Sequence, residues 1–390
     1  MNPLAQRAAA LTPSLTLAIA AKAKKLKAEG VDICDLGAGE PDFDTPQHIK
    51  DAAAQALAAG FTKYTPSSGL PELRAAIAEK LKNENGLDYN PSQIIVNCGA
   101  KHSCYNAILA TCGAGDEVII PSPYWLSYPE MVKLADATPV IVPTQESNGF
   151  KLTPDEFRNA MTPATKLIIL NSPNNPTGAV YTKEELLALA EVALEEDILM
   201  LSDEIYEKIT YDHTPHISLA SLSREIYNLT ITVNGFSKAY SMTGWRLGYI
   251  AAPEPIAAAI DSIQSHSTSN PTSFAQKGAL AALQGDQSFI SDLHRAFVER
   301  RQSMYDKLTS IPGITCVKPM GAFYMLPNIS QFGLPSIRFC ERLLEEQKVA
   351  AVPGVVFGSD DHIRLSYACS MENIQKGLDR LAAFCASLKA

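Results

Sequence analysis

The sequence lacks the paired cysteines that hold structural metals or form redox centres. Its eight cysteines are scattered, no CxxC pair occurs, and no histidine motif completes a metal site. Free thiols in a reducing compartment are the simpler interpretation. The chain also has no apolar run of transmembrane length and no signal-peptide pattern at its N-terminus. We therefore predict a cytoplasmic protein without a metal ion, and removal of a transit peptide from a longer precursor stays open.

Charge, and positive charge above all, is scarce. Charged residues make up 19% of the chain, and 33 basic against 42 acidic residues give a net charge of -9. This acidic excess disfavours binding to nucleic acid or to an anionic membrane. Hydrophobic residues make up 46%, and 390 residues are enough for two domains. We predict small molecules as ligands, with neither nucleic acid nor membrane as a partner.

A dinucleotide-binding fingerprint is the third absence. No GxGxxG occurs at the turn around Gly99, and after Gly37-Ala38-Gly39 the position of the last glycine is Asp42. These glycines are needed for the tight turn and for close approach to a pyrophosphate. A nicotinamide-dependent dehydrogenase is therefore disfavoured.

The chain alternates between short apolar runs and helical patterns. The runs at 93–96, 117–120, 139–142, 166–170, 198–202 and 229–234 are rich in Ile, Val and Leu and predict buried strands. The alternation predicts an α/β fold with a mostly parallel sheet covered by helices on both faces. The pattern changes near residue 285, where one long helix is predicted over 288–309. We predict a large domain over residues 45–285 and a smaller α/β domain formed by residues 1–44 and 286–390.

Lys238 lies in a short loop of small residues with almost no other charge before Arg246. Loss of solvation there favours the neutral, nucleophilic amine, which forms Schiff bases with carbonyl groups. Arg246 supplies a fixed positive charge that suits a phosphate. An amine for an aldehyde and a guanidinium for a phosphate together indicate pyridoxal phosphate.

Asp203 and Asn175 each follow a predicted strand and suit the same cofactor. A carboxylate at the end of a buried strand needs a partner, which a protonated pyridine nitrogen provides. The phenol of Tyr206 suits the 3-oxygen of the ring, and Asn175, in a rigid turn, suits the same oxygen and the substrate carboxylate. From the residues alone, Asp203 is equally a helix N-cap, Tyr206 a core aromatic and Asn175 a loop residue.

Other candidates stand near the ends of predicted elements. Gly99-Ala100-Lys101 opens a helix whose free amides form a phosphate site. Trp125 follows the run 117–120 and either stacks on a planar ring or belongs to the core. Arg364 lies in an apolar run and needs an anion, which is either a substrate carboxylate or a structural acidic residue.

Short motifs across essentially the whole chain resemble class I aminotransferases of fold type I, the aspartate aminotransferase family. Each motif is weak alone, but their order and separations are specific. The motifs are GAGEPDF (37–43), KYT (63–65), SPYW (122–125), SPNNPTG (172–178), SDEIY (202–206), SK (237–238), TGWR (243–246), GAFY (321–324) and IRLS (363–366).

The resemblance implies a role for each matching residue at the cofactor ring. Lys238 forms the Schiff base with pyridoxal 5'-phosphate and later moves a proton between substrate and cofactor. Asp203 pairs with the ring nitrogen, and Tyr206 and Asn175 hold the ring oxygen. Trp125 stacks on the ring and lies near the substrate.

The resemblance also implies how the phosphate and the substrate are bound. The phosphate contacts Ser237, Arg246 and the amides of Ala100 and Lys101. Arg364 binds the α-carboxylate of the substrate, with the backbone of Gly39 nearby. Tyr64 reaches the phosphate of the neighbouring subunit, which requires a homodimer with shared active sites.

The finer likeness is to the bacterial and plant-plastid subgroup, in which the side-chain carboxylate of the substrate is bound near an N-terminal Pro-Ser segment. The matching residues are Ser14, Thr16 and Lys101. Some members also transaminate prephenate, and these often have a lysine just before the Pro-Ser pair. Thr12 stands there in this chain, which favours aspartate over prephenate without excluding prephenate.

The sequence thus predicts an aminotransferase that moves the amino group from L-aspartate to 2-oxoglutarate in a ping-pong reaction, giving oxaloacetate and L-glutamate. The alternatives are a bifunctional enzyme that also makes arogenate from prephenate, an aromatic aminotransferase, or a carbon-sulfur lyase of the same fold. A transcriptional regulator on this fold needs an upstream DNA-binding domain, and the chain starts almost directly with the aminotransferase segment. A binding protein without cofactor has no need for the lysine, aspartate and arginine set.

Overall fold

The computed structural model describes residues 5–11, 23 and 25–388. Its strands are β1 (Cys34–Asp35), β2 (Ile94–Asn97), β3 (Glu117–Ser122), β4 (Thr138–Pro143), β5 (Thr165–Asn171), β6 (Leu199–Asp203), β7 (Thr230–Gly235), β8 (Gly248–Ala251), β9 (Tyr324–Met325), β10 (Val349–Ala350), β11 (Val352–Pro353) and β12 (Ile363–Ser366).

Between β2 and β7, the α-helices of the same residues alternate one by one with the strands, as expected of an α/β fold. They are α1 (Gln6–Ala9), α2 (Gln47–Ala58), α3 (Pro71–Asn85), α4 (Ala100–Thr111), α5 (Ser127–Leu134), α6 (Pro154–Ala160), α7 (Lys183–Glu195), α8 (Arg224–Leu229), α9 (Glu254–Ser267), α10 (Ser273–Gln284), α11 (Ser288–Thr309), α12 (Ser336–Gln347) and α13 (Met371–Leu388).

Seven strands form the central sheet, in the order β2-β8-β7-β6-β5-β3-β4. From β7 to β4 all neighbours are parallel, which confirms the predicted mostly parallel sheet. β8 is antiparallel to both of its neighbours, β2 and β7. In the register of β5 and β6, Asn171 lies opposite Asp203, so the two strands end side by side. Side chains that follow these ends meet at one edge of the sheet.

Alternate residues of each strand pack against helices on opposite faces of the sheet, as strand geometry requires. In β3, Val118 and Ile120 belong to a buried cluster with residues of α4, α5 and α9. Ile119, between them, belongs to another cluster with residues of α6 and α7. Both faces are therefore covered, which explains why the strands read as continuous apolar runs.

A smaller region contains the first strand and the C-terminal elements. β1 pairs in parallel with β10, and β9, β12 and β11 form a three-stranded antiparallel sheet. One buried cluster joins Leu36 to residues of α11, α12 and α13. The segment after residue 31 therefore packs against the C-terminal region, while the domain boundaries at residues 45 and 285 stay a prediction. Within the described residues, no helix has both the length and the apolarity needed to cross a membrane.

Candidate active site

A cavity of about 860 Å³ lies where β5, β6 and β7 end, between the central sheet and the smaller region. Most of the residues predicted for the site line it, namely Gly39, Ala100, Lys101, Trp125, Asn175, Asp203, Tyr206, Ser237, Lys238, Arg246 and Arg364. Tyr64 lies outside this lining, with a side chain that is 89% exposed. Thr12, Ser14 and Thr16 lie outside the described residues.

Lys238 follows β7 and projects its amine into the cavity. Nζ donates a hydrogen bond of 2.6 Å to the carbonyl oxygen of Gly39. Burial lowers the pKa of Lys238 to about 8, against the opposing charge of Glu40 and with help from two nearby arginines. An amine with this pKa is partly neutral near neutral pH, which is the form that attacks an aldehyde.

Asp203 is the last residue of β6 and is 4% exposed. Oδ2 accepts a hydrogen bond of 2.7 Å from the hydroxyl of Tyr128 and lies 3.6 Å from Sγ of Cys104. Oδ1 accepts a bond of 3.2 Å from the amide of Ile205. Burial raises the pKa of Asp203, and these donors oppose that rise. A turn follows the strand where a helix would be needed, so the N-cap alternative is wrong.

Asn175 and Tyr206 approach the cavity from the loops that follow β5 and β6. Oδ1 of Asn175 accepts a hydrogen bond of 3.1 Å from Nη1 of Arg364, which leaves the NH₂ group of the amide to donate. The hydroxyl of Tyr206 lies 2.9 Å from the hydroxyl of Tyr324, and burial raises the pKa of Tyr206 well above its usual value. The amide group of Asn175 and the protonated phenol of Tyr206 can therefore both donate hydrogen bonds, as required for binding an anionic ring oxygen.

Arg364, in β12, is 5% exposed but binds no carboxylate among the described residues. Its Nη2 donates to the carbonyl oxygen of Gly37 at 2.9 Å, and its Nε has no partner in this part of the chain. The ring of Tyr324 lies 4.4 Å from the guanidinium carbon. The structural ion pair offered as an alternative is therefore wrong, and the group is available to an incoming anion.

The N-terminus of α4 and Arg246, both predicted to bind a phosphate, lie next to each other. Gly99, with φ of 88°, precedes the helix, and a Cβ there would lie 2.6 Å from Nη2 of Arg246. Nη1 of Arg246 donates to the carbonyl oxygen of Thr243 at 2.8 Å, and no carboxylate pairs with this guanidinium in the described residues. The amide of Ala100 at the first turn and the unpaired guanidinium suit a dianion. Ser237, directly before Lys238, lines the same cavity.

Lys101 and Trp125 lie together at another wall of the cavity. Nζ of Lys101 is 4.9 Å from the centre of the Trp125 ring. Burial, together with the charge of Arg246, lowers the pKa of Lys101. The half-buried ring of Trp125 meets the ring of Tyr128 edge to face at 5.2 Å. Trp125 therefore borders the cavity and also packs against a buried cluster of the core.

Sequence reasoning missed three residues that touch the predicted set: Cys104, Tyr128 and Tyr324. Tyr128 lies in the first turn of α5 and Trp125 lies before that helix, so helical spacing does not indicate their contact. Tyr324 lies in one of the family motifs, but nothing local indicates its contact with Tyr206. Cys104 meets Asp203 across 99 residues of sequence, which no local pattern indicates.

The donor set fits pyridoxal phosphate in its separate parts. Lys238 provides an amine of lowered pKa, and Asp203 is a buried carboxylate that pairs with no cation in the described part of the chain. Arg246 and the first turn of α4 offer unpaired positive charge for a phosphate. Arg364 leaves a buried Nε without a partner. The aldehyde, the ring nitrogen and the phosphate of the cofactor suit Lys238, Asp203 and Arg246, in that order. A substrate carboxylate suits Arg364.

Comparison with known proteins identifies aminotransferases over nearly the whole chain. The family described as aminotransferase class I and II matches residues 31–381. The aspartate aminotransferase of Bacillus subtilis (strain 168) is 53% identical over 386 residues, which cover 98% of each chain. The aspartate/prephenate aminotransferase of Thermus thermophilus is 47% identical over 385 residues, again covering 98% of both.

Solved structures agree with this match. The aspartate aminotransferase of Thermus thermophilus with maleate superposes with a TM-score of 0.95 at 46% identity, covering 98% of this chain and 100% of that one. The aspartate aminotransferase of Rhizobium meliloti gives a TM-score of 0.95 at 41% identity over 99% of each chain. Identity of this extent over the full length confirms the fold, the enzyme class and the cofactor predicted from the motifs. The chain belongs to the class I and II aminotransferases, enzymes of fold type I that depend on pyridoxal 5'-phosphate.

Proposed function

We propose that this enzyme transfers the amino group of L-aspartate to 2-oxoglutarate, giving oxaloacetate and L-glutamate. The observation that carries the proposal is the presence of two cations, Arg364 and Lys101, in the lining of one cavity. A dicarboxylic amino acid offers one carboxylate to each. The names of the relatives and the maleate, a dicarboxylate, in the Thermus thermophilus crystal support the same substrate class.

Bound pyridoxal phosphate supplies an aldehyde that accepts the amino group and a ring that withdraws electrons. In our proposal Lys238 anchors the cofactor and then carries a proton from the α-carbon of the substrate. Asp203 keeps the ring nitrogen protonated. Arg364 fixes the α-carboxylate, and its bond to Asn175 links substrate binding to the amide that holds the ring oxygen. Trp125 closes one side of the cavity and excludes water from the reacting carbon.

A second substrate is favoured by the names of several relatives. Enzymes of Nitrosomonas europaea and Cereibacter sphaeroides that are 47% and 48% identical to this chain are aspartate/prephenate aminotransferases. Prephenate is also a dicarboxylate, so Lys101 and Arg364 suit it too. Ser14 and Thr16, which we propose as further ligands of the distal carboxylate, and Thr12, which disfavours prephenate, lie outside the described residues.

We also propose a homodimer in which Tyr64 binds the cofactor phosphate of the neighbouring subunit. The support is its exposure of 89%, which is unusual for a tyrosine in a folded chain, together with its position in a family motif. The two-domain division at residues 45 and 285 belongs to the same proposal. A cytoplasmic location is supported by eight cysteines that are all free, as expected in a reducing compartment.

A screen of amino donors and acceptors tests the substrate. Aspartate, glutamate, prephenate and phenylalanine are compared by kcat/KM. We expect the value for aspartate to exceed that for phenylalanine by at least about 10²-fold, since a site with two cations, the buried Arg364 and the more exposed Lys101, leaves one of them unpaired when the second carboxylate is missing. A preference for phenylalanine would contradict the proposal. Comparable values for prephenate and aspartate would establish the bifunctional alternative.

A further inference from the structure

The carboxylate of Asp203 is contacted by two side chains for which the sequence predicts no role in binding cofactor or substrate. The hydroxyl of Tyr128 and the thiol of Cys104 both approach Oδ2, at 2.7 Å and 3.6 Å. The other oxygen, Oδ1, accepts only the backbone amide of Ile205 among the described residues. Because a carboxylate oxygen accepts two hydrogen bonds, Oδ1 keeps capacity for one more donor.

Both donors are fixed in place by the packing of the helices against the sheet. Tyr128 is 2% exposed and lies on α5, while Cys104 is 0% exposed and lies on α4. Burial raises the pKa of each far above its usual value, and the charge of Asp203 adds to that rise. Each group therefore stays protonated and can only donate to the carboxylate. The ring of Tyr128 also supports Trp125 edge to face.

We propose that Tyr128 and Cys104 are positioning residues that hold the Asp203 carboxylate ionised and oriented toward the ring nitrogen of the cofactor. The proposal rests on the role given to Asp203 in the proposed function. The hydroxyl of Tyr128 makes the stronger hydrogen bond and the thiol of Cys104 the weaker one, since sulfur is a weak donor and lies farther from the carboxylate. Together they replace part of the solvation that Asp203 loses on burial.

The other charged and titratable groups near Asp203 do not replace these donors. Glu204, the next residue in the chain, opposes ionisation of Asp203 by its negative charge. Tyr206, from the following turn, is a neutral phenol whose hydroxyl bonds to Tyr324. Lys238, on the loop after β7, interacts with Asp203 through its charge but forms no ion pair with it in the described residues. In our proposal Tyr128 and Cys104 therefore decide how readily Asp203 takes up a proton.

The test measures the dissociation constant of pyridoxal phosphate from the apo-protein as a function of pH, by quenching of tryptophan fluorescence. Protonation of Asp203 removes the partner of the ring nitrogen, so affinity falls below the pKa of Asp203. For Tyr128→Phe we expect this fall to move up by about one pH unit, since a hydrogen bond to a charged group has about that effect. For Cys104→Val we expect a shift in the same direction of about a few tenths of a unit. Tyr124→Phe and Cys112→Val, which change a tyrosine and a cysteine that do not contact Asp203 in the described structure, should leave the profile in place.

Three outcomes separate the explanations. Weaker binding by the same factor at every pH, with no displacement of the profile in Tyr128→Phe or Cys104→Val, would reduce the two residues to packing and overturn the proposal. An Asp203→Asn variant that binds the cofactor as the wild type does, with the same pH profile, would instead overturn the role of Asp203. If Tyr128→Phe fails to fold, the proposal is tested with Cys104→Val alone. An infrared band of protonated Asp203 that appears at higher pH in apo Cys104→Val than in apo Cys112→Val supports the proposal, and coincident bands overturn it.

Discussion

Two buried arginines in this protein differ in their hydrogen-bond partners. Arg301, 1% exposed, donates to both oxygens of Asp212, at 3.0 Å and 2.7 Å, and does not line the cavity. Arg364, 5% exposed, lies in the cavity wall, donates to one backbone and one amide oxygen, and leaves Nε without a partner in the described residues. The first is satisfied within the fold. The second has room for an anion, which in our proposal is the α-carboxylate of the substrate.

The buried lysines and carboxylates differ in the same way. Lys80 pairs with Glu207, and although burial opposes ionisation, the charge of Lys80 lowers the pKa of Glu207 to about 2. Lys238 and Asp203 have no such partner in the described chain, so burial lowers the pKa of the lysine to about 8 and raises that of the aspartate. Lys80 and Glu207 are counter-ions of each other, whereas Lys238 and Asp203 form no ion pair within the described residues.

The comparison explains why the active site is distinguishable from other buried charges. A buried ion without a partner destabilises the fold, so it is kept only where a ligand completes it. Glu204, Glu207 and His216 illustrate the contrast, because their donor atoms lie within 4.8 Å of one another as in a metal site. The ammonium of Lys80 already binds Glu207 there. Lysine, aspartate and arginine around the cavity instead match the charges of a cofactor and a substrate.

Replacing Lys238 should give the largest effect. For Lys238→Ala we expect the visible absorbance of the bound cofactor to vanish and kcat/KM to fall by about 10³-fold or more, since the anchor and the proton carrier are lost together. Folding should persist, because removal of an unpaired buried amine costs little. Absorbance spectra, steady-state kinetics and thermal unfolding measure these effects. Normal turnover in this variant would end the assignment of Lys238.

Replacing the two arginines should separate function from stability. Arg364→Met should lower kcat/KM by about 10²-fold for aspartate and for an aromatic amino acid, since both carry an α-carboxylate. Arg301→Met, its matched control, should leave kcat/KM near the wild-type value but lower the free energy of unfolding by about 2 kcal/mol. Kinetics and urea denaturation distinguish the two. An Arg364→Met enzyme that is less stable but fully active would show that Arg364, like Arg301, serves the fold and not the substrate.

Glu207→Gln should affect stability alone. It leaves Lys80 without its main partner, so we expect about 2 kcal/mol less stability at pH 7. Because the folded pKa of about 2 lies below the ordinary 4.5, the contribution of Glu207 is complete above pH 4.5 and is lost as the pH falls toward 2. The difference between variant and wild type should therefore shrink on acidification. Denaturation at pH 7 and pH 3 measures it, and a constant difference would disagree with a paired Glu207.

Lys101→Ala should give the smallest effect. We expect KM for aspartate to rise about tenfold and KM for an aromatic donor to change much less, since only aspartate carries a second carboxylate. The loss of a cation over the ring of Trp125 affects both donors alike and serves as an internal reference. Equal rises in both KM values would remove Lys101 from side-chain recognition.

Much of this arrangement could be predicted from sequence, for identifiable reasons. Strands β2 to β7 were predicted within about two residues because their runs are rich in apolar residues, and all of them but the partly exposed edge strand β4 are largely buried. β8, only Gly248–Ala251, was missed because four residues after a loop give too little pattern. Chemically distinctive residues such as Lys238 were found from their surroundings and from the motifs. Tyr128, Cys104 and Tyr324 were not, because their contacts form only when distant elements pack together.

The site of covalent attachment tests the central claim most directly. The protein is loaded with pyridoxal phosphate, reduced with borohydride, digested and analysed by mass spectrometry, so that the lysine bound to the cofactor is identified. The contrast between paired and unpaired buried charges predicts a pyridoxyl group on Lys238. Lys80, held by Glu207, should carry none. A modified Lys80 with an unmodified Lys238, or no modified lysine at all, would contradict the account.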